Sequence, residues 1–106
     1  MGDIGNHFPD EDMKYKNISS IKLLERVIEM LEGLGFRPVN VDSTLVLQKP
    51  RVSEYIYSMR RTLSKAMKLD VTQVSVKATT TEKLGFEGRE EGVSASAIVL
   101  VNYYGV

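Results

Sequence analysis

Between residues 77 and 86 the chain reads Lys-Ala-Thr-Thr-Thr-Glu-Lys-Leu-Gly-Phe. Three hydroxyls, Thr79, Thr80 and Thr81, stand together beside the carboxylate of Glu82. Hydroxyls and turn amides are good donors to phosphate oxygens. A carboxylate next to them can hold a hard cation, since Mg²⁺ commonly bridges one or two carboxylates and phosphate oxygens. The same composition also describes β-branched strand residues followed by a polar turn, and residue types alone do not choose between the two. A second candidate lies at residues 2–12, where Gly2, Asp3, Ile4, Gly5, Phe8, Pro9, Asp10, Glu11 and Asp12 crowd acids, glycines and an aromatic ring into a short span. Carboxylates so placed can grip a polyol, and the stretch reads equally as a solvated loop. His7 is the only histidine, and no partner for a metal or a general base can be named for it.

The elements that must position these residues follow from spacing. Ser19 and Ser20 offer an N-cap, and Ile21, Leu24, Val27, Ile28 and Leu31 recur at helical intervals before Gly33 and Gly35. This predicts a helix over 20–33. Val39, Val41, Leu45 and Leu47 alternate with polar neighbours, which predicts a strand over 36–48 with a kink near Ser43 and an end at Pro50. Ser53 is the expected cap of a second helix over 54–69, with Ile56, Met59, Leu63, Ala66 and Met67 on one face. Val74, Val76 and Ala78 alternate with Ser75 and Lys77 and predict a half-buried strand. The last strand, 93–102, is polar then apolar opposite its valines and alanines, so its second half should be covered on both faces. The expected architecture is α+β: a mixed sheet of three evident strands with two helices packed on one face.

Composition bounds the function. The chain has 106 residues, enough for one domain over 1–106, with 42% hydrophobic and 26% charged residues. Fourteen basic residues balance fourteen acidic ones, so no net field draws the protein to nucleic acid or to an acidic membrane. Basic residues do outnumber Glu54 over 49–68, at Lys49, Arg51, Arg60, Arg61, Lys65 and Lys68, but no stacking aromatics or nucleic-acid motif accompany them. A solvated helix face is expected. There is no cysteine, hence no disulfide or thiolate metal site. No apolar run has the length of a membrane span, and residues 1–12 are unlike a signal or transit peptide. A cytoplasmic or plastid-type setting fits. Phosphate-loop, nucleophile-elbow and paired-cysteine patterns are missing.

Taken together, Gly2-Asp3-Ile4-Gly5 with Phe8-Pro9-Asp10, the run Lys77 to Phe86, and Gly88-Arg89 with Glu91-Gly92 resemble the 2-C-methyl-D-erythritol 2,4-cyclodiphosphate synthases. Asn40-Val41-Asp42 and the step from Gln48 to Pro50 fall at the matching places, and the likeness covers essentially the whole chain. It implies conversion of a cytidine-diphosphate methylerythritol 2-phosphate into a cyclic diphosphate with release of CMP, in the non-mevalonate route to isoprenoid precursors. By the same resemblance, Asp3, Ile4, Gly5 and Phe8 to Asp12 surround the methylerythritol phosphate. Leu47, Gln48, Lys49, Pro50, Arg51, Val52 and Ser53 form the cytosine pocket, read through backbone groups. Lys49, Val52 and Ser53 depart there from the small, apolar pattern usual in the family. Ala78, Thr79, Thr80 and Thr81 hold ribose and phosphates, Thr80 polarises the diphosphate, and Glu82 ligates Mg²⁺ (or Mn²⁺). Phe86 and Arg89 face the axis of a homotrimer that encloses an isoprenoid diphosphate.

The family also binds Zn²⁺ through an Asp-x-His pair on a first strand and a further histidine before the Gly-Asp-Ile-Gly loop. One histidine and no cysteine cannot build that site here. The expectation is therefore the C-terminal two-thirds of the enzyme, lacking one strand of the family sheet and inactive alone. The alternatives are a fragment that only binds cytidine nucleotide and one that only oligomerises.

Overall fold

The computed structural model describes residues 19–47, 52–80 and 92–105. Helix α1, Ser20–Gly33, begins where the Ser19 hydroxyl accepts a hydrogen bond from the Lys22 amide at 3.2 Å. It ends at Gly35, whose φ of +88° is a conformation that favours glycine. Its amide there donates to the Glu32 carbonyl at 3.0 Å. Strand β1, Phe36–Val46, follows directly. A short 3₁₀ turn, Ser53–Tyr55, then leads into helix α2, Ile56–Met67.

Ser53 is thus inside the 3₁₀ turn, and α2 starts after Tyr55 with no side-chain cap, contrary to the expected Ser53 cap. Lys68 closes α2 in the left-handed region, φ 59°. A second 3₁₀ turn, Val71–Gln73, is held by a reciprocal cap. The Asp70 carboxylate accepts from the Thr72 amide at 3.1 Å, and the Gln73 side chain accepts from the Asp70 amide at 2.8 Å. Strands β2, Val74–Thr79, and β3, Ser94–Tyr103, complete the order.

The sheet is mixed, with spatial order β2-β1-β3. β1 and β2 run parallel, connected through α2, and β3 is antiparallel on the other edge. The irregularity in β1 falls between Pro38 and Asn40, where the register with β3 slips, and not near Ser43. One extra residue there lets Val41 resume its place opposite both Val74 and Val99.

Both helices lie on one face. Ile28 of α1, Val41 of β1 and Met67 of α2 form the buried centre, with Leu24, Leu31 and Leu69 packed around it. Val74 and Val76 are buried on the same side while Ser75 and Lys77 are exposed, as their alternation required. Full burial of such side chains contributes about 1.5–3 kcal/mol each. Ala78, expected inward, is exposed, and burial in β2 ends at Val76.

β3 departs most from expectation. Within one chain its second half is covered on neither face: Ile98 is 78% exposed and Leu100 53%. On the helix side, Ala95, Ala97 and Val99 border an apolar groove of about 710 Å³ shared with Leu24, Met59 and Leu63. No helix among the described residues is long and apolar enough to cross a membrane.

Candidate functional site

The parallel pairing of β1 and β2 ends at one place. Val46 lies opposite Thr79, and the Leu47 amide donates to the Thr79 carbonyl at 3.1 Å, one rung beyond the strand. Two stretches separated by some thirty residues of sequence therefore leave the sheet side by side: the one that begins at Leu47 and the one that holds Ala78, Thr79 and Thr80. Leu47 is buried and anchors this end, whereas Ala78, Thr79 and Thr80 are exposed. The Thr79 hydroxyl donates to the Thr80 carbonyl at 3.5 Å, a long bond that an anion could readily replace. Val52 is half-buried and accepts at its carbonyl from the Tyr55 amide at 2.8 Å, at the entry to the 3₁₀ turn.

Other predicted residues lie outside the described residues: Asp3, Ile4, Gly5, Phe8, Pro9, Asp10, Glu11 and Asp12, then Gln48, Lys49, Pro50 and Arg51, and finally Thr81, Glu82, Phe86 and Arg89. The structure thus brings together Leu47, Ala78, Thr79 and Thr80.

Among the described residues no group of three or more histidine, cysteine, aspartate or glutamate side chains is arranged to hold a metal. The described side-chain donors at this end are the hydroxyls of Thr79 and Thr80. Thr80 stands two residues before Glu82 in the chain, and hydroxyl oxygens precede it.

Three polar features escaped the reading of the sequence. On the sheet face away from the helices, the Lys77 ammonium forms an ion pair with Asp42, joining β2 to β1 just before Ala78. Its signal was present: both residues alternate with buried valines and so had to share the open face. Arg60, read as part of a solvated basic face, is instead a partly buried clamp. Its Nε donates to the Val74 carbonyl at 2.7 Å and an Nη to the Val71 carbonyl at 3.0 Å, fixing where β2 begins. Lys68 is likewise engaged, pairing with Glu32 of α1 at 2.8 Å.

The family model described as the YgbB family matches residues 1–102. A 2-C-methyl-D-erythritol 2,4-cyclodiphosphate synthase of Syntrophobacter fumaroxidans is 56% identical over 101 residues, covering 95% of this chain and 64% of that protein. The chain thus spans under two-thirds of that relative's length. The bifunctional IspDF of Campylobacter jejuni superposes with a TM-score of 0.91 at 39% identity, over 97% of this chain and 28% of the other. A CDP complex of IspF from Plasmodium falciparum superposes with a TM-score of 0.82 at 26% identity, over 98% of this chain and 62% of that one.

Proposed function

The chain belongs to the YgbB family, and on that premise we propose that it carries the nucleotide- and diphosphate-binding part of a 2-C-methyl-D-erythritol 2,4-cyclodiphosphate synthase. The observation that carries this reading is the convergence of Leu47 with Ala78, Thr79 and Thr80 at the shared end of two parallel strands. A ligand with a base at one end and phosphates at the other matches two stretches that leave the sheet side by side. The CDP held by the Plasmodium falciparum relative has that form.

In the proposed reaction the substrate's 2-phosphate oxygen forms a bond to the β-phosphorus of its own diphosphate. The bond from that phosphorus to the CMP oxygen breaks, giving the cyclic diphosphate and CMP. Protein groups need form no covalent bond; they fold the substrate, align its ends and stabilise charge. Thr80 and the amides around it would donate to the diphosphate, and Glu82 would hold a Mg²⁺ or Mn²⁺ ion. Such an ion would supply neutralisation of phosphate charge. Leu47 to Ser53 would read the cytosine edge through backbone groups, which tolerates the unusual Lys49, Val52 and Ser53. Asp3, Ile4, Gly5 and Phe8 to Asp12 would bind the methylerythritol end. Zn²⁺ is assigned to no residue of this chain.

The exposed second half of β3 supports association, since strand edges and apolar faces of this kind are usually covered. A homotrimer would set Phe86 and Arg89 at its axis, where an isoprenoid diphosphate could bind. A bacterial cytoplasm or a plastid-type stroma would be the compartment.

The test is calorimetric titration of CDP into the 106-residue protein with and without Mg²⁺, beside Glu82→Gln. Mg²⁺ should strengthen binding in the parent and lose at least roughly tenfold of that effect in the variant. Binding whose Mg²⁺ dependence is unchanged by Glu82→Gln would overturn the assignment.

A further inference from the structure

The strands β1, β2 and β3 carry two cations, Arg37 and Lys77, and only one of them stands near the candidate site. Arg37 is the second residue of β1 and Val46 its last, about 30 Å apart along the strand. The Arg37 guanidinium lies 5.2 Å from the centre of the Tyr104 ring, at that far end. Lys77 precedes Thr79 by two residues, about 7 Å along β2. Strand alternation puts these two on the same face of the sheet, Lys77 opposite Thr44 and Thr79 opposite Val46. A lysine carries its charge on a flexible four-carbon stem, which can cover that spacing. The ammonium leans the other way. It pairs with Asp42, which lies opposite Ser75, two residues further from the site. The two side chains are 54% and 59% exposed, and an ion pair so open to water is weak and exchanges partners readily.

We propose that Lys77 is a diphosphate-binding residue, and that Asp42 holds its ammonium aside until a nucleoside diphosphate arrives at Thr79 and Thr80. The inference rests on the nucleotide reading above and adds a positive charge of the sheet to it. A diphosphate brings more negative charge than one Mg²⁺ cancels, and hydroxyls and amides contribute no net charge against the rest. On binding, the Lys77 ammonium leaves Asp42 and donates to a phosphate oxygen, so one charge-assisted hydrogen bond replaces another. The Asp42 carboxylate stays at the surface, where water hydrates it. Its partner row, at Ser75, is four residues from Thr79, about 13 Å. That exceeds the screening length of about 8 Å at physiological salt. Asp42 therefore acts on the ligand through Lys77 and hardly by itself.

Calorimetric titration of cytidine, CMP and CDP into the full 106-residue chain at constant Mg²⁺ tests it, with circular dichroism as the check on folding. Lys77→Gln should bind CDP roughly tenfold more weakly than the parent, with CMP less affected and cytidine unchanged. Asp42→Asn should bind CDP roughly threefold more tightly, because the ammonium then has no competing partner. In the Lys77→Gln background, Asp42→Asn should change nothing further. The opposite signs separate this role from that of a strut joining β1 to β2, whose loss from either end would weaken all three ligands alike. Lys77→Arg keeps the charge and should keep most of the affinity. If Lys77→Gln folds poorly, the sign of the Asp42→Asn effect decides by itself. Three results would overturn the role of Lys77 and leave the nucleotide site standing: CDP binding that Lys77→Gln does not change, a Lys77→Gln loss as large for cytidine as for CDP, or weaker CDP binding by Asp42→Asn. A parent that binds neither CMP nor CDP would overturn the site and the part of Lys77 in it together.

Discussion

Replacing Gly35 by alanine should be among the most damaging single-methyl additions in the described structure. Gly35 joins α1 to β1 at φ +88°. A Cβ built there would stand 2.7 Å from the Gly105 carbonyl carbon and oxygen, and 2.8 Å from Cε1 of Tyr103. These contacts include backbone, which cannot swing aside as a flexible side chain can. The same residue accepts at its carbonyl from the Tyr104 amide at 2.7 Å, so separating the strands to relieve the clash would also break that bond. The backbone conformation alone costs an alanine about 1–2 kcal/mol. Overpacking adds about 1–3 kcal/mol. The expected loss is about 2–5 kcal/mol, a large share of the stability of a domain this size. Two controls separate the terms. Gly105 has φ +91° with open space around it, so Gly105→Ala should cost only the conformational part. Gly33 is helical with nothing within 4 Å, so Gly33→Ala should stabilise by about 0.5–1 kcal/mol. Urea denaturation of the four proteins gives the ladder. If Gly35→Ala lies no lower than Gly105→Ala, the close approach of the two glycines is wrong.

Arg60→Met should cost about 1.5–3 kcal/mol in the same assay, since it leaves the Val71 and Val74 carbonyls without a charged donor. Arg60→Lys should recover little of this, because an ammonium cannot span both carbonyls as the guanidinium fork does; full recovery would refute the two-carbonyl clamp. Lys68→Gly should instead stabilise by about 0.5–1 kcal/mol by relieving the left-handed cap of α2. Its pair with Glu32 joins largely exposed groups and gives little in return, so a loss on substitution would show that pair to outweigh the backbone strain.

Where the fold was legible in sequence, the reason was that one side of an element is buried and the other is not. Ile28 and its neighbours recur at helical spacing because α1 buries one stripe against Val41 and Met67. Val74 and Val76 alternate with Ser75 and Lys77 because only one face of β2 meets the helices. Features decided by a partner strand left no such pattern. The slip between Pro38 and Asn40 did have a signal, since a proline within a central strand sits at a bulge, but the alternation of Val39, Val41, Leu45 and Leu47 pointed to Ser43 instead. Ser53 had the chemistry of a cap, but the intervening 3₁₀ turn moved the helix start past it. Arg60 shares its composition with solvated neighbours such as Arg61 and Lys65, and only the folded chain brings the Val71 and Val74 carbonyls to it.

The run Thr79-Thr80-Thr81-Glu82 stood out in sequence because it puts phosphate-donating hydroxyls beside a carboxylate, yet its setting depends on pairing. What makes Leu47 and Thr79 neighbours is the parallel register from Val41 opposite Val74 to Val46 opposite Thr79. Ala78, Thr79 and Thr80 are all exposed at that end. Two unit charges 4 Å apart interact with about 1 kcal/mol in bulk water and about 4 kcal/mol near a protein surface of effective dielectric about 20. A diphosphate held at this open end would lie near the weaker limit until something excluded water from it. The over-apolar second half of β3 and the paired charges beside it belong to the same economy of surface: sequence read β3 as covered on both faces, and one chain leaves Ile98 and Leu100 bare. If copies supply that cover, the surface that makes β3 look buried in sequence and the water exclusion that a diphosphate needs have one origin. Association would then be part of the binding chemistry as well as of stability.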